Sequence, residues 1–381
     1  MNILVVNAGS TSLKFKLISF PKKEVCASAR IDRIGSVGLS EYSFTGAESF
    51  KKTGQSVPDY KSGISLFVND LGGTDKIDAV AFKTVLAKGY PGVHIINNDV
   101  IAGMKAYMPV APVHNSAYLG AIEAVKALMP DKPLVGSFET AFHTTVPLFR
   151  RVYGVPYKWY TDYGVERMGY HGASHSYIAK ALKDYSRVVS CHLGGSGSIC
   201  AIKDGKSIDT SFGFSLQAGI THVSRCGDID PYIMPYLLKL GLSSEEIIDG
   251  LEKEGGLKGI SGLSGDMRDL RRAIKEGNKR ARLAVDIYTS DITRYIGAFA
   301  AEMGGLDALA FTGGIGENDS ETRLEICATL GFLGIDPDEK LNASNARRID
   351  KQNSKTPIFV IPADEESVVA ENAYNLLKNN N

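Results

Sequence analysis

The chain opens with NILVVNAGSTSLKFKLISF, residues 2–20. Two strand-like apolar runs flank six small or hydroxyl-bearing residues, Asn7 to Ser12, and Lys14 follows directly. One reading is a plain hairpin. The other is a cradle for phosphate, because a tight turn of small residues leaves neighbouring backbone amides exposed and able to bind an anion. Hydroxyls and Lys14 would add donors and a point charge. The segment after the turn is again strand-like, so this is not the strand-to-helix G-x-x-x-x-G-K-[ST] loop.

An echo lies in the second half. RVVSCHLGGSGSICAIKDGKSIDTS, residues 187–211, reads as strand, small-residue turn, strand, Lys-Asp-Gly turn and strand. In both stretches a polar residue, Asn7 or His192, stands two places before a glycine, Gly9 or Gly194. The shared motif predicts two related α/β domains, each presenting one glycine-rich hairpin. A length of 381 residues fits two domains. A break between residues 136 and 150 divides the chain into 1–140 and 141–365.

Between the hairpins, KIDAVAFKTVL and KPLVGSF read as covered parallel strands. GISLFVNDLG and NSAYLGAIEAVKAL read as helices, the second capped by Asn115 or Ser116. Strands alternating with helices predict a sheet with helices on its faces.

Composition excludes several classes. Lys plus Arg and Asp plus Glu number 43 each, so the formal charge is zero and nonspecific grip on nucleic acid or an anionic membrane is not predicted. The N-terminus has no pattern of a targeting segment, and no apolar run reaches the length of a spanning helix. Five scattered cysteines form no C-x-x-C pair. Neither a zinc site nor a disulfide framework is indicated, and a soluble cytoplasmic protein is the simplest expectation.

Two further loops suit a nucleotide. ALAFTGGIGENDSETR ends a strand at Thr312 and places Gly313, Gly314 and Gly316 where a ligand approaches the backbone, with Asn318 or Asp319 capping a helix. GISGLSGDMRDLRRAI also sets Gly and Ser before a capped helix. The reactive candidates each have a bland alternative. His171 and His175 in RMGYHGASH are spaced for one helix face, but without the Glu of H-E-x-x-H they make a poor zinc site. His114 in APVHN suits a structural or a catalytic role. Arg225 in VSRCGDIDPY is a surface-turn arginine or one that neutralises phosphoryl oxygens. Asp364, Glu365 and Glu366 in IPADEES suit a first helical turn or Mg²⁺.

Taken together, VVNAGSTSLKFKL, APVHN, FETAFH, MGYHGASH, HLGGSGSICAIKDGKSIDTS, SRCGDIDP, GISGLSGDMRDL, FTGGIGEN and IPADEE resemble the acetate kinase family of acyl kinases, in order from residue 5 to 366. The resemblance implies α/β domains of the actin/hexokinase/Hsp70-like (ribonuclease H-like) type with an interdomain cleft. It implies a last helix, about 366–381, packing back on the first domain, and a dimer interface on the second. The implied reaction is Mg²⁺-dependent, in-line phosphoryl transfer from ATP to a small carboxylate. Asn7 and Glu365 would serve the metal. Ser10, Ser12, Lys14, His192, Gly194, Gly195, Ser196 and Gly197 would hold phosphates, and Asp266, Met267, Arg268, Gly314, Ile315 and Asn318 adenosine. His171, Arg225, Glu139 and His114 would be catalytic. Lys83, Val85, Val113, Tyr170 and Leu216 would meet the acid. A carboxylate is already ionised at pH 7, so donors and cations replace a general base.

Four departures stand against the family pattern. Lys83 in FKTVLAKGY replaces the arginine of HRVVHGG and loses its bidentate fork. Glu139 replaces an aspartate, Gly195 an asparagine, and Tyr170 and Leu216 replace Phe and Pro. They leave open an acid bearing a hydroxyl or other polar group. They also leave open a nucleotide-binding relative that regulates without turnover, or a donor that is GTP or pyrophosphate.

Overall fold

The structure is a computed structural model that describes residues 1–36 and 38–380. The chain divides into two compact units, Met1–Thr144 with Asp364–Asn381, and Thr145–Ala363.

The first unit is built on β1 (Asn2–Gly9), β2 (Ser12–Ser19), β3 (Glu24–Asp32), β4 (Ser40–Thr45), β5 (Ser49–Gln55), β6 (Ala79–Thr84), β7 (Val93–Ile95) and β8 (Leu134–Phe138). The sheet order is β5-β4-β3-β2-β1-β6-β8-β7. β1, β2 and β3 form an antiparallel meander, and β6 and β8 continue parallel to β1. The second unit has β9 (Arg187–His192), β10 (Ser198–Lys203), β11 (Lys206–Thr210), β12 (Ala308–Thr312) and β13 (Ile358–Val360), in the order β11-β10-β9-β12-β13. Again three antiparallel strands are followed by two parallel ones. The core order β3-β2-β1-β6-β8 and the second sheet are the same topology, as the paired hairpins predict for two related domains; it is the ribonuclease H-like order that the family resemblance implies.

Burial explains the sequence pattern. Ile3, Leu4, Val5 and Val6 of β1 are all inaccessible to solvent, so the strand reads as a continuous apolar run. β2 alternates instead: Phe15 stacks on Phe67 of helix Tyr60–Leu71, while Lys16 reaches Asp364 at the start of the C-terminal helix. Neighbouring residues in a strand face opposite ways, so these helices lie on opposite faces of the sheet. The C-terminal helix, Glu365–Asn379, packs on β1, β6 and β8. In the second unit the helix Lys279–Met303 buries Ala281, Ala284, Val285, Tyr288, Ile292, Ile296, Phe299 and Met303. That stripe, with steps of mostly three and four, covers β9 and β10.

Local chemistry sets the ends of elements. Asp204 and Gly205 turn β10 into β11 with both φ angles positive, which an Asp-Gly pair tolerates. One helix start differs from expectation. The helix runs Pro112–Leu128 with Pro at its first turn, not from a cap at Asn115 or Ser116. The Asn115 side chain is buried and donates to the Met104 and Leu86 carbonyls at 2.8 and 3.3 Å. Among the described residues no helix is long and apolar enough to cross a membrane.

Asp364 caps the C-terminal helix by accepting from the Ser367 amide at 3.0 Å, and it pairs with Lys16 at 2.5 Å. Burial alone raises its carboxyl pKa, but Lys16 and Ser367 bring it below the ordinary value. Its contribution is therefore present above the unfolded carboxylate pKa, about 4, and is lost as pH falls through the lower folded value. Asp364→Ala should cost about 1–2 kcal/mol at neutral pH by urea unfolding. The difference from the unsubstituted protein should narrow as pH drops below about 4; a gap that stays constant would remove this account of Asp364.

Candidate active site

In the second unit the site grows from the end of β9. His192 pairs with Ser198 across the turn 193–197. The Leu193 carbonyl accepts from the amides of Ile315 and Gly316 at 2.8 and 3.1 Å, tying this turn to the turn after β12. Gly313 fits there because its φ is +78° and a Cβ would stand 2.6 Å from the Leu193 oxygen. The amides of Gly194, Gly195 and Ser196 have no protein acceptor among the described residues. Consecutive free amides of this kind suit an anion.

Arg225 lies against the same turn. Its guanidinium donates to Ser196 Oγ at 3.0 Å and approaches the Leu216 carbonyl at 3.5 Å. Among the described residues it has no carboxylate within ion-pairing distance. Burial lowers its pKa, with Glu252 opposing, yet an arginine stays charged.

Three histidines organise the rest. His171 has φ +58° and caps the helix Gly172–Ala181. Ser198 Oγ lies 2.9 Å from His171 Nδ1 and 2.8 Å from His175 Nε2, and His175 Nδ1 lies 2.9 Å from Ser190 Oγ. A hydroxyl donates only once, so at least one of the two rings donates to Ser198. The His171 and His192 rings are 4.1 Å apart, and Ser174 Oγ holds His192 Nδ1 at 2.8 Å. The His171–His175 spacing thus brings both rings to one hydroxyl. Beneath them the Gly197 amide donates to Nδ1 of His222, so the ring proton sits on Nε2, which faces the Ala218 carbonyl at 3.2 Å. The ring stacks on Phe212, and burial, with Arg225 adding to it, pushes the His222 pKa down to about 3.

In the first unit, β1 ends at Gly9 and β2 begins at Ser12. Tyr60 Oη donates to the Gly9 carbonyl at 2.8 Å. Ser10 and Lys14 are exposed, and Lys14 makes no ion pair among the described residues. Asn7 is held at both ends of its amide: Nδ2 donates to Glu366 Oε1 at 3.1 Å, and Oδ1 accepts from Tyr118 Oη at 3.0 Å. Beside it the Lys83 ammonium lies 2.8 Å from Glu139 and 2.5 Å from Glu365. Burial opposes its charge, but Glu139 and then Glu365 hold the Lys83 pKa well above the ordinary value.

The Acetokinase family matches residues 2–371 of the chain. The chain belongs to the acetokinase family. Acetate kinase of Shouchella clausii is 38% identical over 393 residues, 98% of this chain and 99% of the relative. Acetate kinase of Treponema denticola is 39% identical over 400 residues, 99% and 100% of the two chains. Among solved structures, acetate kinase of Porphyromonas gingivalis superposes with a TM-score of 0.87 at 35% identity, covering 99% of each chain. A propionate kinase of Francisella tularensis gives 0.89 at 32%, covering 97% of this chain and 98% of its own.

Within this acetokinase the predicted residues fall into place unevenly. Asn7, Lys83, Glu139 and Glu365 cluster in the first unit, and His171, His192, Ser196 and Arg225 in the second. Gly194 and Gly314 meet closely, a Gly194 Cβ lying 3.9 Å from the Gly314 nitrogen. Asn318 donates to the Gly314 carbonyl, Ile315 packs partly on the core, and Met267 is buried in it. Asp266 caps the helix Met267–Lys275 and pairs with an exposed Arg268. His114 is half-buried in the first turn of its helix, whereas Val113 is 59% exposed and Val85 only 5%. Tyr170 and Leu216 are buried, and Tyr170 Oη donates to the Phe214 carbonyl at 2.7 Å. Lys83 differs from expectation most: the residue predicted to clamp a substrate carboxylate already holds two protein carboxylates. Sequence reasoning placed Ser198 at the end of the phosphate turn but missed Tyr118, His222 and Arg323. The last is fully buried and donates to the Gly316 carbonyl at 2.8 Å, bracing the glycine turn from below. None of these three carries a local motif. A depression of about 510 Å³ lined by Gly331, Phe332, Asp336 and Lys355 includes no predicted residue.

Neutral His222 gives a spectroscopic test. Its folded pKa is depressed, so its stabilisation is present above the unfolded pKa, about 6.5, and falls as the medium is acidified. Nitrogen-15 spectra should show one bare Nδ1 and a protonated Nε2 without change from pH 8 to about pH 5. A ring that titrates within that range would contradict the assignment.

Proposed function

We propose that this acetokinase transfers the γ-phosphoryl group of ATP to a short, unsubstituted carboxylate such as acetate or propionate. The reading rests on family membership and on one observation: a cation, Arg225, that meets only neutral acceptors beside three free amides. A carboxylate oxygen attacks the γ-phosphorus, the bond to the β–γ bridging oxygen breaks, and ADP leaves with the electron pair. No proton moves, because the nucleophile is already ionised. Arg225 and His171 oppose the charge on the equatorial oxygens, and the Gly194–Ser196 amides and the Ser10–Lys14 hairpin hold phosphates. Asp266, Met267, Arg268, Gly314, Ile315 and Asn318 take the nucleoside, with His114 and Glu139 supporting the reacting groups.

The hard oxygens of Glu365, Glu366 and Asn7 fit Mg²⁺. Among the described residues no group of three His, Cys, Asp or Glu forms a cage, which suits an ion that keeps waters and uses phosphate oxygens. Mg²⁺ bound with ATP would neutralise phosphate charge. Tyr170 spends its hydroxyl on the Phe214 carbonyl, so its buried ring offers no polar handle for a substituted acid. Five free cysteines suit a reducing cytoplasm.

Purified protein with Mg²⁺, ATP and a panel of short acids should form acyl phosphate, trapped by hydroxylamine as hydroxamate; GTP and pyrophosphate serve as alternative donors. No hydroxamate from any acid and donor would sink the proposal. Arg225→Ala should lower kcat by roughly 10³–10⁵, and a loss under about tenfold would refute its role.

The same reading includes a homodimer. Tyr232, Tyr236 and Leu240, four residues apart, are 79, 62 and 60% exposed on the helix Ile233–Lys239 and its two flanking residues, and Ile233 and Leu238 are exposed too. Exposed apolar side chains gathered in this way suit a second copy of the chain. Sedimentation should give a dimer for the unsubstituted protein and a monomer for Tyr232→Asp/Tyr236→Asp; an unsubstituted protein that sediments as a monomer at micromolar concentration rejects it.

A further inference from the structure

Lys83 and Glu139 are brought together by strand register. Lys83 of β6 pairs with Ser137 of β8, so Glu139, two residues on, points to the same face. The C-terminal helix covers that face: Asn372 donates to Ser137 Oγ at 3.1 Å, and Glu365 begins the helix. The three charged side chains are only 14, 8 and 16% exposed. The cluster carries one positive and two negative charges, and Asn7 hangs on the neighbouring Glu366.

A carboxylate clamp needs a cation whose charge is not already spent. An ammonium has three donors, and here two face protein carboxylates. A third carboxylate arriving at Lys83 would meet a net negative corner. A divalent cation would meet attraction, reduced by the ammonium.

We propose that Lys83 is an internal counter-ion and positioning residue: it holds Glu139 and Glu365 together, sets how tightly this corner binds a divalent cation, and does not clamp the acid's carboxylate. The inference deepens the phosphotransferase reading, but its central test needs no turnover.

The test titrates Mn²⁺ alone into the full-length protein without nucleotide, followed by the Mn²⁺ paramagnetic resonance signal. Lys83→Gln should bind at least about tenfold more tightly, since a charge that repels the ion is gone. Glu139→Gln should bind at least about tenfold more weakly. Lys83→Gln/Glu139→Gln, which restores the net charge, should return to within about threefold of the unsubstituted protein. In turnover, Lys83→Gln should leave the KM for the acid within about threefold while kcat or the KM for MgATP changes.

Unchanged Mn²⁺ affinity in both single variants overturns the proposal. So does a rise of more than about tenfold in the acid's KM alone, the signature of a lost clamp. Circular dichroism checks folding; if Lys83→Gln does not fold, Glu139→Gln decides by itself. Should the unsubstituted protein phosphorylate no acid, the functional reading fails while the Mn²⁺ results still decide the role of Lys83.

Discussion

β1 and β9 are covered on both faces, and that constraint governs where chemistry can occur. Ile3 to Val6 are wholly inaccessible, and Val188, Val189 and Cys191 nearly so. A strand in this position leaves little room for polar side chains along its length, because each buried polar group needs a partner. Polar residues therefore collect at the carboxyl ends, as Asn7 and His192, followed by turns short enough to leave amides unpaired. The same arrangement arises twice because the same topology is used twice.

The buried cations show how differently one charge can be accommodated. Lys83 has two carboxylates, more than its charge requires. Among the described residues Arg323 has none as direct partners, and it is satisfied by the Asn342 and Gly316 carbonyls and by the Asn342 and Asn345 side-chain oxygens. Arg225 has a hydroxyl and one distant carbonyl. Neutral acceptors satisfy donors without cancelling charge, so the field of Arg225 remains available to a ligand, whereas that of Lys83 is cancelled locally. Fully enclosed Arg323 serves the backbone it braces. Charge alone would have ranked these three residues alike; their partners separate them.

Much of this was legible in the sequence, for stated reasons. The paired hairpins point to two related domains because period-two patterns and small-residue turns are local signals. Asp319, one of the two cap candidates beside Asn318, was readable in the same way. The start at Pro112 was not, because the polar Asn115 mimics a cap while its amide serves two distant carbonyls. Nor could the sequence show Lys83 between Glu139 and Glu365. That cluster depends on the register of β6 against β8 and on a helix from the far end of the chain. Ser198 likewise looked like one more small residue of a turn, yet it joins two histidines.

The departures at the acid's end now separate by mechanism. Tyr170 was the substitution that most suggested a polar acid, because a buried hydroxyl demands a partner. Phe214 supplies that partner from the backbone, so the added oxygen is absorbed by the protein and the ring still presents hydrocarbon. Gly195 exchanges a side chain for an unobstructed backbone amide, since a Cβ there would meet nothing within 4 Å. Anion recognition at that turn then rests on the backbone, which a side-chain change leaves in place. Lys83 and Glu139 act in the opposite direction to each other, one side chain unable to fork and the other a methylene longer than aspartate, and the longer carboxylate reaches the ammonium at 2.8 Å. Tyr170 and Glu139 thus each find a protein partner close to where the sequence departs from the family pattern.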